Sequence, residues 1–382
     1  MIGARHLACG TQASRLRLFS LTTPEGQSIN RVVVRGTNWV GDAVMTIPAL
    51  RSLRRLFPNA HLTLVSKPGA ADIFIDADFV DEVLAYDRAG LRSMWAQTRD
   101  WRSRKFDLAI LFQNAFEAAA MAFLARVPIR VGYDTERRGF LLTHSLASPS
   151  WKDERHEMFY YLNIVAEVER LFSGRPSVAI EEPQFALAVS ASRQAEAVTL
   201  LRQHGSRGEG PLVILCPGSI NSRAKRWPPE RYAQLADRLI ESGFAVALIG
   251  SPGEVDVSQQ VLQNMRRQPT ILTGKTTVAE AAAIINIADL LITNDTGPAH
   301  IGAAVSTPTL VIFGPTNPLT TRPFGTVGEI IREPPDCAPC MLRDCPIDHR
   351  CMTAITPEAV FERASALISS RLKAGLRTES IA

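Results

Sequence analysis

The sequence has 382 residues, of which 46% are hydrophobic and 21% are charged. These proportions are typical of a globular protein, and the length allows two domains that each bury a core. The net charge of +4 is too small to require nucleic acid as a partner, and we expect none. No apolar stretch approaches the ~20 residues that cross a bilayer, which argues against an integral membrane protein.

The first 28 residues form a basic segment of their own. Arg5, Arg15 and Arg17 precede the first acidic residue, Glu25, and the apolar run of a signal peptide is missing. We interpret residues 1–28 as a basic leader that is disordered and takes no part in catalysis. Because the sequence shows no export signal, we expect a cytoplasmic protein with reduced thiols.

Residues 29–180 alternate between strand-like and helix-like patterns. Continuous apolar runs predict buried strands, and apolar residues at helical spacing predict the helices between them. Strands are predicted at 31–35, 61–66, 82–86, 107–112 and 129–132, and helices at 43–57, 91–105 and 115–126. This half of the chain therefore predicts one doubly wound α/β domain with a parallel sheet.

Residues 181–355 repeat this alternation and predict a second domain of the same kind. The predicted strands are 212–216, 245–250, 270–272, 290–293 and 309–313, and the predicted helices are 229–242, 253–265, 278–288 and 298–305. The pattern breaks once, at a helix (155–172) followed by a short strand (184–189), and we place the domain boundary there. Residues 356–382 are predicted as a C-terminal helix and tail. Two Rossmann-like domains would face a central cleft at the carboxyl ends of their strands.

The end of the strand at 290–293 gives the strongest indication of a ligand. It is followed by Asp295 and Thr296, after which Gly297 and a proline begin a short helix. A strand, a tight turn and a helix N-terminus together form a site for phosphate or another anion. His300, one helical turn later, could bond to the same anion or be a histidine of the core.

The loop after the strand at 212–216 has the composition of a phosphate-binding loop. It carries Ser219, Arg223, Lys225 and Arg226, which combine a small hydroxyl group with three positive charges. A solvated basic loop is the alternative. Because this loop and the turn at Asp295 belong to the same domain, we favour phosphate binding.

The first predicted strand leads into a turn with two glycines, Gly36 and Gly41. Their spacing is that of a P-loop, but Asp42 stands where that motif needs a lysine, so a nucleoside triphosphate is not expected. Asp42 has two interpretations. It either caps the following helix or lies at the cleft edge as a general base for a substrate hydroxyl.

Four of the six cysteines are close together near the end of the second domain, at Cys337, Cys340, Cys345 and Cys351. Zinc sites usually contain two close pairs of ligands, whereas this series contains a single C-x-x-C. We therefore favour reduced or redox-labile thiols over a structural metal site at these four residues. No catalytic metal and no cofactor are expected.

The motifs together resemble those of glycosyltransferase family 9, the bacterial heptosyltransferases of lipopolysaccharide core assembly. The resemblance covers residues 31–370 and rests on Trp39-Val-Gly-Asp42, Lys225-Arg-Trp-Pro228, Asn294-Asp-Thr-Gly297 with His300, and Gly314-Pro315-Thr316. The tryptophan before Val-Gly-Asp is more similar to the second heptosyltransferases than to the first.

The resemblance implies a two-domain GT-B fold with an inverting, metal-independent reaction. Its donor would be ADP-L-glycero-D-manno-heptose, bound by the second domain, and its acceptor the lipid A-linked inner core, bound by the first. Asp42 would be the general base, and Lys225 would stabilise the departing diphosphate. Glu254 and Lys275 would contact the nucleotide, although Glu254 could equally be an acid at a helix start. Acceptor contacts would come from Asn38, Trp39 and Gly41.

Such an acceptor is an amphiphile, so we expect a protein that is peripheral to the cytoplasmic face of the inner membrane. We also expect it to be a monomer. Arg51, Arg54 and Arg55 are candidates for the membrane contact, the alternative being a solvated helix face. His156, near the domain boundary, could touch the acceptor, but we favour a surface histidine. Two other functions remain open: another GT-B sugar-nucleotide transferase or epimerase, and a non-catalytic nucleotide-binding protein. The presence of both Asp42 and Lys225 favours transfer.

Overall fold

The computed structural model describes residues 28–174, 177, 182–206, 210–325 and 327–373. The predicted basic leader therefore lies outside the described residues except for Ser28, and so does the tail beyond residue 373. None of the helices in these ranges is long and apolar enough to cross a membrane.

Within these ranges the strands form two separate parallel sheets of six strands each. The strands of the first sheet are β1 (Arg31–Arg35), β2 (His61–Ser66), β3 (Glu82–Ala85), β4 (Leu108–Leu111), β5 (Ile129–Tyr133) and β6 (His144–Leu146). Those of the second are β7 (Leu212–Cys216), β8 (Ala245–Leu248), β9 (Thr270–Ile271), β10 (Leu290–Asn294), β11 (Thr309–Ile312) and β12 (Gly328–Ile331).

The first sheet has the strand order β3-β2-β1-β4-β5-β6, and the second has β12-β11-β10-β7-β8-β9. When the strands of the second domain are counted from β7 and its sheet is read from β9, the two orders are the same. The first strand of each domain therefore lies near the middle of its sheet. Every residue of β4, β7 and β10 is buried, because helices cover both faces of the sheets. The predicted α/β class with two doubly wound domains is confirmed.

The helices connect the strands and form the outer layers. In the first domain they are α1 (Val40–Met45), α2 (Ile47–Leu56), α3 (Pro68–Ala71), α4 (Leu91–Arg104), α5 (Phe116–Leu124) and α6 (Met158–Ser173). They continue with α7 (Ala191–Gln203), α8 (Pro229–Glu241), α9 (Val255–Asn264), α10 (Val278–Asn286), α11 (Gly297–Ala304), α12 (Pro318–Thr321), α13 (Arg350–Thr353) and α14 (Pro357–Lys373).

Two predictions about secondary structure were wrong in an informative way. The helix predicted at 43–57 is two helices that meet at Thr46, with Pro48 in the first turn of α2, where proline is tolerated because its missing N–H has no helical partner. The strand predicted at 184–189 does not form. Phe185 and Leu187 are buried alternately as in a strand, but Leu187 N donates to Ala304 O (2.8 Å), so this extended segment packs on α11 outside either sheet.

The chain crosses between the domains after α6. This helix packs against α2 of the first domain, whereas α7 packs against α10 of the second. His156, just before α6, is buried, contrary to the prediction of a surface histidine. Its Nε2 lies 2.7 Å from the carbonyl oxygen of Arg322, so it joins the two domains next to the cleft.

Candidate active site

A cleft of about 460 Å³ lies between the two domains, at the carboxyl ends of both sheets. The first domain contributes the turn after β1 with the start of α1, from Trp39 to Asp42. The second domain contributes the loops that follow its strands, which include Ser219, Lys225, Glu254 and the start of α11. The strand order brings these loops together, as expected for ligand sites in doubly wound folds.

Lys225 is held at the start of α11 by a buried carboxylate. Its Nζ donates to Oδ2 and to the backbone oxygen of Asp295, each at 3.0 Å. Asp295 Oδ2 also accepts a hydrogen bond from Thr316 Oγ1 at 2.6 Å. The Asp295 side chain is only 2% exposed, whereas Lys225 is 24% exposed. Asp295 therefore anchors the lysine, and the ammonium is the more accessible group of the pair.

Asp42 lies in the first turn of α1, on the opposite wall of the cleft. Burial raises its pKa to about 6, and the nearby Lys225 ammonium opposes this rise. A helix N-terminus favours the ionised carboxylate, but here the loss of solvent is the larger effect. The carboxylate is therefore ionised at neutral pH with a pKa close enough to exchange a proton, as a general base requires. The N-cap position of α1 is occupied by Trp39, and Asp42 is the third residue of the helix.

The two walls of the cleft touch where α1 and α11 begin. A Cβ added to Gly41 would lie 3.1 Å from Cδ2 of His300 and 3.6 Å from Cα of Gly297. A Cβ added to Gly297 would lie 3.2 Å from Cβ of Val40. Such contacts leave little room for a side chain at either glycine. The missing side chains allow the two helix starts to approach, which brings Asp42 within electrostatic reach of Lys225.

His300 is buried in this contact. Burial lowers its pKa to about 4, with Asp295 acting in the opposite direction, so the imidazole is neutral at physiological pH. Within the described part of the chain, its Nδ1 is buried without a hydrogen-bond partner. The residue is a buried histidine that also lines the cleft, and its bond to an anion stays a prediction.

Asn294 organises the loop that carries Lys225, a role that the sequence analysis did not assign. Its amide nitrogen donates to the backbone oxygens of Pro217 (2.8 Å) and Gly218 (3.2 Å). Its Oδ1 accepts from Trp227 N and from the hydroxyl of Tyr232. The sequence shows only that an asparagine follows a predicted strand. This position does not reveal its hydrogen-bond partners, which lie more than 60 residues away.

Glu254 is the acid of a helix start and also lines the cleft, while its contact with a nucleotide stays a prediction. Its Oε2 accepts from the backbone nitrogen and from the hydroxyl of Ser251, each at 2.8 Å, as in a helix cap. The same carboxylate lines the cleft beside Gly218, where an added Cβ would lie 2.2 Å from Oε1.

Ser219 is buried at the cleft wall, and its backbone oxygen accepts two hydrogen bonds from Arg226. Thr296 and Gly297 also line the cleft.

Three predicted site residues do not line the cleft in the described structure. Arg223 is exposed and forms an ion pair with Asp344, with 2.6 Å between Arg223 Nε and Asp344 Oδ1. Lys275 Nζ donates to the backbone oxygen of Ile271, while its neighbour Thr276 reaches the cleft. Asn38 accepts from Nη2 of the buried Arg35, next to Trp39, which lines the cleft and is 52% exposed.

The cysteine segment packs against the lysine loop. Cys337 is exposed, Cys340 and Cys345 are half-buried and Cys351 is buried, and all four are free thiols. In the residues that the structure describes, no three His, Cys, Asp or Glu side chains form a set that could hold a metal ion. His349, within this segment, has its Nε2 at 2.5 Å from the backbone oxygen of Ala224, so the segment supports the turn that presents Lys225.

Two Rossmann-like domains that face one cleft form the architecture of the GT-B fold. Residues 94–350 match the family described as glycosyltransferase family 9 (heptosyltransferase). The chain belongs to this family and is a glycosyltransferase.

Individual relatives agree with this assignment. The chain is 30% identical to lipooligosaccharide heptosyltransferase 2 of Haemophilus influenzae over 79% of this chain and 88% of the relative. It is 26% identical to lipopolysaccharide heptosyltransferase 2 of Escherichia coli, over 88% and 98% of the two chains. The fold matches the solved structure of E. coli ADP-heptose lps heptosyltransferase II with a TM-score of 0.77 at 24% identity, covering 90% of this chain and all of the other.

Proposed function

We propose that this protein transfers heptose from ADP-L-glycero-D-manno-heptose to the lipid A-linked inner core of lipopolysaccharide, with inversion and without a metal. The sugar and the acceptor are supported by relatives whose names specify lipopolysaccharide or lipooligosaccharide heptosyltransferase 2. The same names favour an acceptor that already carries the first heptose.

One observation carries the chemical part of the proposal: Asp42 and Lys225 face one cleft from different domains, close enough for the ammonium to lower the pKa of the carboxylate. An acceptor hydroxyl bound at the first domain needs a base, and a diphosphate bound at the second needs a cation. The cleft supplies each group on the expected side.

The proposed reaction is a single displacement. The acceptor oxygen forms a bond to the anomeric carbon of heptose while the bond from that carbon to the diphosphate breaks on the opposite face. Asp42 takes the proton of the acceptor hydroxyl. ADP leaves with the additional negative charge, which Lys225 and the N-terminal dipole of α11 stabilise. Attack opposite the leaving group inverts the configuration at that carbon.

Mass spectrometry of the products tests this function directly. Purified protein is incubated with ADP-heptose and either a heptose-free core acceptor or an acceptor that carries one heptose. We expect the mass of one heptose to be added to the second acceptor, with release of ADP. Addition only to the heptose-free acceptor would mean that the protein adds the first heptose rather than the second. Release of ADP without a glycosylated product would contradict transfer.

EDTA is expected to leave the initial rate of transfer unchanged, because Lys225 and the start of α11 provide the positive charge that a metal supplies in other transferases. The measurement is the rate of ADP release from dialysed protein with and without EDTA. Inhibition that added magnesium reverses would contradict a metal-independent reaction.

Two other functions are compatible with the fold. A GT-B transferase or epimerase for another sugar nucleotide would process its own donor in the mass-spectrometric assay and leave ADP-heptose intact. A non-catalytic nucleotide-binding protein would bind ADP without turnover. A non-catalytic protein leaves the carboxylate with a raised pKa at the cleft without a role. Another transferase or an epimerase would use it, and against these the names of the relatives favour heptose transfer.

We also propose that the protein is a monomer that acts at the cytoplasmic face of the inner membrane as a peripheral protein, since a lipid A-linked acceptor would be bound at a membrane. The arginines suggested by the sequence have partners within the protein. Arg51 donates to the backbone oxygen of Ala186 and pairs with Asp78. Arg54 pairs with Asp81 and donates to the backbone oxygen of Ala60, while Arg55 donates to a serine of its own helix. Because Arg51 and Arg54 are paired with carboxylates, we consider another surface for the membrane contact below.

A further inference from the structure

One outer layer of the first domain concentrates exposed hydrophobic side chains. It consists of α4, α5 and the short turn Gly139–Leu141, which all pack into one core cluster on the same face of the sheet. In the described chain, twelve large hydrophobic side chains are exposed, and five of them lie on this layer: Leu91, Trp95, Phe116, Phe123 and Phe140. They include every exposed phenylalanine in that set. We call this surface the aromatic layer.

The outer face of α5 is unusual for a helix in contact with water. Its sequence, Phe-Glu-Ala-Ala-Ala-Met-Ala-Phe-Leu, contains one polar residue, Glu117. A helix that is hydrophobic all round is normally buried, yet Phe116 and Phe123 are 44% and 47% exposed. They are seven residues apart and therefore lie on the same side of the helix. This side lacks a covering element in the described structure.

The neighbouring elements extend this apolar surface. On α4, Leu91 and Trp95 are one turn apart and are 70% and 51% exposed. The ring of Phe140, which is 75% exposed, has its centroid 6.2 Å from that of Phe116. The aromatic layer thus crosses three elements and is larger than a single exposed side chain, which would need no explanation.

Positive charge surrounds these side chains. Residues 86–143 contain ten lysines and arginines against six acids, a net charge of +4 that equals that of the whole chain. Arg92, Arg99 and Arg102 are exposed on α4. The guanidinium carbon of Arg130 lies 5.4 Å from the ring centroid of Phe123. One of the nearby acids, Glu117, forms an ion pair with Arg88, with 2.9 Å between Glu117 Oε2 and Arg88 Nε.

We propose that the aromatic layer docks this enzyme on a bilayer surface with anionic headgroups. Aromatic side chains and arginines are the combination that such an interface favours, since the rings enter the headgroup boundary while the cations meet lipid phosphates. A symmetric contact between two copies would instead place like charges against each other. Charge complementarity therefore selects the membrane as the occupant.

The position of the layer agrees with the proposed function, on which this inference rests. α4 and α5 begin after β3 and β4, so Leu91 and Phe116 lie at the carboxyl end of the sheet, the end that forms the cleft. A bilayer held there would present a lipid-anchored sugar beside Trp39 and Asp42. The first domain would then bind the membrane and the acceptor together, while the second domain binds the donor.

Vesicle flotation of the full chain tests the surface. We expect binding to phosphatidylcholine vesicles that also contain phosphatidylglycerol, and at least about tenfold weaker binding for Trp95→Glu with Phe123→Glu, because two apolar anchors are lost and two negative charges added. Ile347→Glu is the matched control, because Ile347 is 62% exposed in the second domain. Arg92→Gln with Arg99→Gln should weaken binding only when the anionic lipid is present.

Transfer assays separate this inference from the proposed function. The Trp95→Glu/Phe123→Glu variant should keep its rate on a short-chain, water-soluble acceptor and lose rate on an acceptor embedded in vesicles. Vesicle binding that is equal in wild type and variant would overturn the docking surface even if heptose transfer proceeds. A wild-type dimer that this variant converts to a monomer would also overturn it and assign the layer to self-association. Absence of transfer on either acceptor would refute the function instead.

Discussion

Asp42→Asn is expected to lower turnover by roughly 10²–10⁴-fold, the usual contribution of a general base. Asparagine keeps the size and the hydrogen-bonding reach of the side chain but cannot accept the proton of the acceptor hydroxyl. Donor binding should be almost unchanged, because the donor loops belong to the second domain. Steady-state kinetics with ADP-heptose and the lipid acceptor, together with calorimetric titration of ADP, measure the two quantities separately.

The pH dependence of wild-type turnover provides an independent test of the same role. Burial raises the pKa of Asp42 to about 6, so turnover should fall as pH decreases through this value and the base becomes protonated. The Asp42→Asn variant should lack this acidic limb in its residual activity. A limb that persists unchanged in the variant would assign the titration to another group.

Stability should respond to Asp42→Asn in the opposite direction from activity. The pKa of this carboxyl is higher in the fold than its ordinary value of 3.8, so the ionised form costs free energy of folding. The cost is present in full above pH 6 and disappears as pH falls towards 4. The variant should therefore be more stable than wild type by up to about 3 kcal/mol at pH 8 and equal to it at low pH. A helix cap would give the reverse result at neutral pH.

Asp72→Asn is the matched control, because Asp72 also lines the cleft from the first domain and burial also raises its pKa. This variant should keep most of its turnover. If Asp42→Asn retains near-normal turnover, Asp42 is not the general base, and a lower melting temperature at neutral pH would assign it the role of a helix cap.

The repeated sheets could be predicted because their signal is local. Strands such as β4 and β10 are buried on both faces, so each is a continuous apolar run between polar turns. The segment at 184–189 shows the limit of this signal. Its alternating burial is that of a strand, but hydrogen bonding to Ala304 rather than to a neighbouring strand decides its structure.

Ten of the thirteen predicted site residues line the cleft, but the motifs did not predict how these residues interact. Asp295 was expected to border an anion, and it lines the cleft, but no motif predicted that it is also the buried partner of Lys225, which lies 70 residues earlier in the chain. The contact of Gly41 with His300 joins two domains, and no local pattern encodes it. The raised pKa of Asp42 follows from this packing, so its direction could not be predicted from a helix N-terminus alone.

Lys225→Ala is expected to slow transfer by about 10²–10³-fold, comparable to the loss of one preorganised group that stabilises charge in the transition state. ADP-heptose binding should also weaken, since the ammonium meets the diphosphate in the ground state. The same substitution raises the pKa of Asp42 further, because Lys225 is the group that lowers it. The acidic limb of the pH profile should therefore move to higher pH in this variant.

Besides its proposed action on the diphosphate, Lys225 neutralises the buried Asp295 carboxylate, and the experiment must separate these two effects. Without the lysine, the Asp295 carboxylate keeps Thr316 as a partner but loses its counter-ion while 2% exposed. An unpaired buried charge destabilises a fold, by up to about 3 kcal/mol here. The Lys225→Ala/Asp295→Asn double variant removes that charge and should recover most of the melting temperature. If turnover remains low in the double variant, Lys225 acts on the diphosphate. If turnover returns with stability, its role was to neutralise Asp295, and another cation must stabilise the leaving group.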